Sequence, residues 1–378
     1  MSRALIDELN RRLLEQFQQR GQATVKAQGR LPASDFTCPE RFGLERRALF
    51  EQTPQPVAFS AELPEAGSYL ALQVVDTPVV LTRAGDGATR AFINSCRHRG
   101  ARVADGSGNG ENLVCPFHGW TYSLDGKLRG RPGNAFFSTP TVDCGLEPLP
   151  ACEIHGLIVI AVDPGVAQAN LHGALQEIGE QLAAFNLQTY RPLARQLFEV
   201  EANWKLGNDL SLESYHFATL HRDSVARLLT DNAIVDTYEC SSRWAFPLKS
   251  IERLAELEPA AWPDQIEGSV TYTLLPGVML IINAQGAQMI RAEPGRSPGQ
   301  SRVSYVGIAG AHASMETARQ AYEFGGKVFR DEDLPIAESC QQGLTASGND
   351  LLLGRNEPLL HFWHRLWDEA VAALAAQK

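Results

Sequence analysis

The 378-residue chain has no run of eighteen or more apolar residues, so no stretch of it is long enough to cross a membrane as a helix. Basic charge is not in excess either. With 34 Lys and Arg against 44 Asp and Glu, the formal net charge is −10, which argues against nucleic acid or an anionic lipid surface as the main partner. Seven cysteines, an odd number in a long chain, do not make the disulfide framework of a small secreted domain. There is no G-x-G-x-x-G fingerprint, hence no sign of a nicotinamide or flavin site within the chain, and no internal repeat or low-complexity tract. What is present is ordinary for a globular enzyme, at 44% hydrophobic and 21% charged residues. At roughly 150 residues per domain the length allows two domains, at most three.

Leu5, Leu9, Leu13 and Phe17 recur at four-residue spacing, so residues 1–20 read as an amphipathic helix packed on the rest of the protein. Mixed charge and the lack of a continuous apolar stretch exclude a signal peptide, and Asp7, Glu8 and Glu15 count against a mitochondrial presequence. The expected compartment is the cytoplasm. A short helix is expected over Pro39–Gln52. From Ala58 to Val162 short apolar runs alternate with Gly-Asp-Gly, Asn-Gly and Asp-Gly turn signals, the pattern of a small antiparallel β domain. Strand-like and helix-like segments then mix without β-α-β alternation, predicting an α+β domain. A helix is expected over Trp204–His216, and three more over Met315–Phe329, Asp333–Gln342 and Leu359–Ala375.

The strongest signal lies inside the β domain. Cys96-x-His98 is followed, sixteen residues on, by Cys115-x2-His118. Each short loop offers one thiolate and one imidazole, so the pair can clamp one centre from both sides. Structural zinc accepts Cys2His2, and a Rieske [2Fe–2S] cluster takes two Cys on one iron and two His on the other. Zinc fingers usually separate the cysteine pair from the histidine pair, so the mixed pairing favours the cluster. A lone Cys or His is normally a packing or surface residue; four in this order are not. Cys38, Cys144, Cys152, Cys240 and Cys340 have no such spacing and are expected to be small core residues. Arg97, Arg99 and Arg102 crowd the loops and are candidates for orienting an acidic redox partner.

C-R-H-R-G-A-R followed by C-P-F-H-G-W-T-Y resembles the cluster loops of the Rieske non-haem iron oxygenases, specifically their large catalytic subunit. Phe42–Phe50, Gly67–Arg83 and Leu124–Leu128 are similar to the flanking text of that family.

A second constellation follows. Two histidines and a carboxylate with open positions are the usual platform for non-haem Fe(II) and O2. His216 and His221 stand at i and i+5, about 140° apart on an ideal helix, so both reach one metal only if the helix breaks between them. N-W-K and then E-x-Y-H-x4-H (Asn203–His221) resemble the mononuclear iron motif of the same family. The resemblance puts the third ligand in Arg330–Leu344, where Asp331, Glu332 and Asp333 compete and spacing back from Glu338 and Gln342 favours Asp333. It makes Glu213 the carboxylate that bridges electron transfer from cluster to iron. Trp204 and Tyr215 are expected in the core, and His361 and His364 to be structural.

The resemblance covers roughly residues 40–370. It implies an N-terminal helix and arm over 1–42, a Rieske all-β [2Fe–2S] domain over 43–163, and a helix-grip (START-like) catalytic domain over 164–378 with a curved antiparallel sheet. It further implies a terminal oxygenase drawing electrons from NAD(P)H through a separate reductase, with or without a ferredoxin, and a head-to-tail homotrimer. The substrate would be a small organic molecule, an aromatic ring or a quaternary amine, the latter suggested by Glu213 in E-S-Y-H. The rival reading is an electron-transfer or zinc-binding protein with no oxygenase activity.

Overall fold

The structure is a computed structural model and describes residues 2–376. It divides into two compact units: residues 50–174, and residues 2–49 together with 175–376.

The first unit is antiparallel throughout. A five-stranded sheet runs in the order Pro148–Leu149, Thr89–Ile93, Thr77–Arg83, Ser68–Val74 and Ser107–Asn109. Two three-stranded sheets accompany it. One joins Ala151–Ile154, Leu157–Ile160 and Gln55–Phe59; the other joins Asn112–Val114, Thr121–Ser123 and Leu128–Gly130. Strands this short are held by the apolar core between them, which includes Val80, Phe92, Leu113, Trp120 and Tyr122 along with Cys96 and Cys115. The two cysteine loops are therefore seated in the core at their sulfur ends.

The second unit is built on a seven-stranded antiparallel sheet. From Ile234–Thr237 to Ser301–Ala309 each strand pairs with the next in sequence, and Arg191–Val200 adds beside the last. Helix Met315–Val328 lies against the Ser301–Ala309 strand. Gly307 makes that approach possible, because a Cβ there would fall 2.2 Å from the Tyr322 ring. Tyr305 and Tyr322 stack beside it, their centroids 4.8 Å apart. Arg3–Gln19 forms the expected amphipathic helix and buries Leu5, Ile6, Leu9, Leu13 and Leu14. Among the described residues no helix is long and apolar enough to cross a membrane.

Some local expectations fail. The helix beginning at Trp204 ends at Asp209, well short of His216. Tyr215 is 75% exposed, whereas Trp204 is fully buried as expected. Among the cysteines outside the loops, Cys144 is buried, but Cys240 and Cys340 are exposed. Small size made them candidates for the core; their neighbours did not require it.

Candidate metal centres

The two cysteine loops are backbone twins. In the first, the Ala101 carbonyl accepts from Cys96 N–H at 2.8 Å and the Cys96 carbonyl from Gly100 N–H at 2.8 Å. In the second, Trp120 and Cys115 carbonyls accept from Cys115 N–H at 2.8 Å and Gly119 N–H at 3.0 Å. Each loop closes on a glycine in the left-handed region, Gly100 at φ +79° and Gly119 at φ +69°. The second loop is the connection of the Asn112–Val114 and Thr121–Ser123 hairpin.

The side chains follow from this frame. Cys96 and Cys115 point into the core, while His98 is half-buried and His118 exposed, with ring centroids 4.6 Å apart. Burial raises the Cys96 pKa, and the Tyr122 hydroxyl and the His98 backbone N–H oppose that by favouring the thiolate. The Tyr122 oxygen lies 3.3 Å from Cys96 Sγ and accepts from Arg97 N–H at 3.0 Å, which leaves its proton for the sulfur. Burial, with His118 and Arg99 nearby, lowers the His98 pKa and keeps the ring in the neutral form that ligates. Two thiols on the core side and two imidazoles on the solvent side are the donor set of a Rieske cluster. Arg97, Arg99 and Arg102 are exposed, and Arg97 lies 3.8 Å from Glu147.

His216, His221 and Asp333 come together in the second unit, their ligand atoms all within 4.8 Å of one another. Between the histidines runs a single turn, closed by Leu220 N–H on the His216 carbonyl at 2.8 Å. The segment before them does not resume a helix, for a local reason. The Glu213 carboxylate takes the backbone N–H groups of Tyr215 and His216, the second at 3.2 Å, so they are lost to a continuing helix. Asp333 closes a π-helical turn, Phe329–Asp333, set between helices Met315–Val328 and Leu334–Ser347. Such widened turns re-aim one side chain within an otherwise straight element, often at a functional site.

Each histidine is held at Nδ1 by a carboxylate and offers Nε2 to the same space. Glu213 bonds His216 Nδ1; Glu332 bonds His221 Nδ1 at 2.7 Å and accepts from the Ser224 hydroxyl at 2.8 Å. The His216 and His221 Nε2 atoms lie 3.8 Å and 3.1 Å from Asp333 Oδ1. His216 Nε2 and Asp333 Oδ1 are buried without a hydrogen-bond partner. Burial pushes the Asp333 carboxyl up, with the imidazoles opposing. It works against the His221 imidazolium too, but Asp333 and Glu332 outweigh it and raise that pKa. Buried polar atoms left unpaired around one point are what a bound cation would satisfy, so these residues fit a mononuclear iron. Asp331 faces away, exposed and paired with Arg330 at 2.6 Å.

Sequence reasoning missed the part of Glu332, which it weighed only as a ligand, and that of Tyr122. Its one trace was position, Glu332 beside Asp333 and Tyr122 two residues beyond Trp120 on the same strand face. His364 Nε2 lies 2.9 Å from Asp209 Oδ1 and His361 Nε2 lies 3.0 Å from the Gly354 carbonyl, and neither belongs to the ligand group of His216, His221 and Asp333. The three converging residues line a cavity of about 640 Å³ between the sheet and the Met315–Val328 helix.

Comparison with known proteins agrees with both centres. The Rieske [2Fe-2S] domain family matches residues 53–142, and the ring hydroxylating alpha subunit (catalytic domain) family matches residues 187–373. The carnitine monooxygenase oxygenase subunit of Acinetobacter pittii is 28% identical over 327 residues, covering 84% of this chain and 85% of that one. The glycine betaine monooxygenase oxygenase subunit of Chromohalobacter salexigens is 32% identical over 203 residues, 53% of this chain and 44% of its own. In fold, the quaternary ammonium Rieske monooxygenase CntA with L-carnitine superposes at TM-score 0.76 and 22% identity, covering 90% of this chain and 95% of that one. Naphthalene 1,2-dioxygenase from Rhodococcus sp. does so at 0.71 and 19%, covering 96% and 98%. The chain belongs to the Rieske non-haem iron oxygenases, as a large catalytic subunit.

Proposed function

We propose that Cys96, His98, Cys115 and His118 hold the Rieske cluster, that His216, His221 and Asp333 hold the mononuclear iron, and that Glu213 carries the electron path between the centres. The enzyme is a terminal oxygenase that uses O2 and reductase-supplied electrons to hydroxylate or oxidatively demethylate a small organic substrate. When bound, the cluster supplies electrons and the iron supplies O2 activation; the protein orients and shields. The observation that carries the residue assignment is the convergence of two Nε2 atoms and one carboxylate oxygen on the cavity wall. Glu213 fits the bridging part because its carboxylate already grips His216 Nδ1 and stands half-buried beside exposed Tyr215.

Exposed rings beside both centres support a ring of three chains in which one subunit's cluster feeds its neighbour's iron. Phe117, next to His118, is 55% exposed and Phe136 is 92% exposed; Tyr215 next to His216 is their counterpart. A head-to-tail contact of that kind must close on itself, and three-fold closure is our expectation. An NAD(P)H-fed enzyme works where that nucleotide is held, so the compartment we infer is the cytoplasm.

Metal analysis is the deciding experiment. The purified protein should contain about three irons per subunit, two in the cluster and one in the mononuclear site, with a Rieske-type visible spectrum. Zinc in place of iron, or two irons without a third, would contradict the assignment. Sedimentation of a fully active monomer would remove the trimer and leave the rest standing.

A further inference from the structure

Four cavity-lining residues form one row across the sheet. Trp244 is the register partner of Thr271, Thr271 of Ile281, and Ile281 of Gln288. The row stops at Gly307, partner of Gln288, over which the Tyr322 ring packs. Three of its side chains, Trp244, Thr271 and Gln288, carry polar groups without a hydrogen-bond partner among the described residues. Gln288 is only 5% exposed, and its side-chain amide has no hydrogen-bond partner among the described residues. Trp244 Nε1 is buried and likewise without one. The Gln288 amide is not among the solvent-excluded atoms and so opens to the cavity, where an unpaired amide is costly to cover without a partner; Trp244 Nε1 is shut off from solvent.

The charge of the lining narrows what could pair with them. Among the described residues no lysine or arginine lines the cavity, and no acid does except Asp333, which faces the metal position. A substrate carboxylate would be desolvated there with no counter-charge. A quaternary ammonium would need ring faces around one point. The rings lining the cavity fall in separate groups, Phe217, Phe246 and Trp244 in one, Tyr305 and Phe329 in another, and Phe324 outside both.

We propose that Gln288 anchors and selects the substrate, and that the site takes an uncharged, largely apolar molecule carrying a carbonyl or hydroxyl. A glutamine amide both donates and accepts, so it serves either group without demanding charge. The inference rests on the cavity being the oxygenase's substrate site, as proposed above.

The test uses the holoenzyme, anaerobic, titrated by intrinsic fluorescence with four probes: indane, 1-indanone, L-carnitine and glycine betaine. 1-Indanone should bind at least tenfold more tightly than either zwitterion. Gln288→Leu should weaken 1-indanone about tenfold, the cost of one hydrogen bond, and leave indane within about twofold, with the visible spectrum of the cluster unchanged. Should that variant not fold, Gln288→Met keeps the length of the side chain without its amide and should likewise weaken 1-indanone and spare indane. Tighter binding of the zwitterions, equal loss for both neutral probes, or no binding of either neutral probe would overturn the proposal. Oxygen uptake driven by carnitine or betaine alone would sink it while leaving the oxygenase assignment intact; lack of the third iron would sink that assignment instead.

Discussion

The two metal-binding regions solve one problem with different materials. The cluster loops draw all four donors from residues 96–118 and fix them with backbone bonds inside each loop. The mononuclear site draws its donors from a single turn and, more than a hundred residues on, the end of a π-helical turn. It fixes them with side chains, Glu213 on one histidine and Glu332 on the other. A site held by its own backbone survives changes around it but fails with its fold. A site held by outer carboxylates can be detuned in steps while the fold stands.

Ligand removal should expose that difference most strongly. Asp333→Ala should drop the iron content from about three to about two per subunit and abolish oxygenation, on the order of a thousandfold or more, with the cluster spectrum and the melting of both units nearly unchanged. Cys115→Ser should remove the cluster and also loosen residues 50–174, because that sulfur is part of their apolar core. Equal damage to stability from both variants, read by calorimetry, would erase the contrast.

Outer-carboxylate removal comes next. Glu332→Gln keeps the shape but leaves a neutral amide at His221 Nδ1 and Ser224, so iron affinity should fall about ten- to hundredfold, measured by competition with a chelator. Asp331→Asn, one residue away and turned to solvent against Arg330, should change nothing. If both variants bind iron like the parent, the second site is not held from outside.

How much of this could be read in the sequence follows the same division. Four donors in two close-set pairs are legible because spacing and geometry coincide when a loop closes on itself: Cys96 to Gly100 and Cys115 to Gly119 are the same interval. The second site was legible as residues but not as shape. The helix was expected to run on to His216, because helical periodicity does not reveal that it stops at Asp209 and that Glu213 takes the N–H groups of Tyr215 and His216. A π-helical turn has no side-chain signature, so spacing could favour Asp333 over Asp331 and Glu332 but not show that one faces the histidines, one stands behind them and one in solvent. Tyr215 was assigned to the core because it is aromatic; its exposure depends on a chain reversal that propensity does not encode. The cavity was out of reach altogether, since Trp244, Thr271, Ile281 and Gln288 meet only through strand register.

The smallest effect tests whether the cluster loops are true twins. Gly100 and Gly119 both hold positive φ, and a Cβ at either would meet nothing closer than 3.5 Å: Ser95 Oγ at 3.7 Å for the first, Pro132 at 3.5 Å for the second. Packing therefore does not oppose alanine at either position, and the cost is the left-handed backbone alone, about 1–2 kcal/mol. Gly100→Ala and Gly119→Ala should lower the stability of residues 50–174 by similar amounts in denaturant titration. Gly126→Ala is the contrast, since its Cβ would fall 2.3 Å from the Phe92 ring and add a steric cost to the same backbone term. A loss at only one of the two loop glycines would mean that its loop is held by something other than its own closure. The cluster would then depend on its surroundings, as the mononuclear site depends on Glu213 and Glu332.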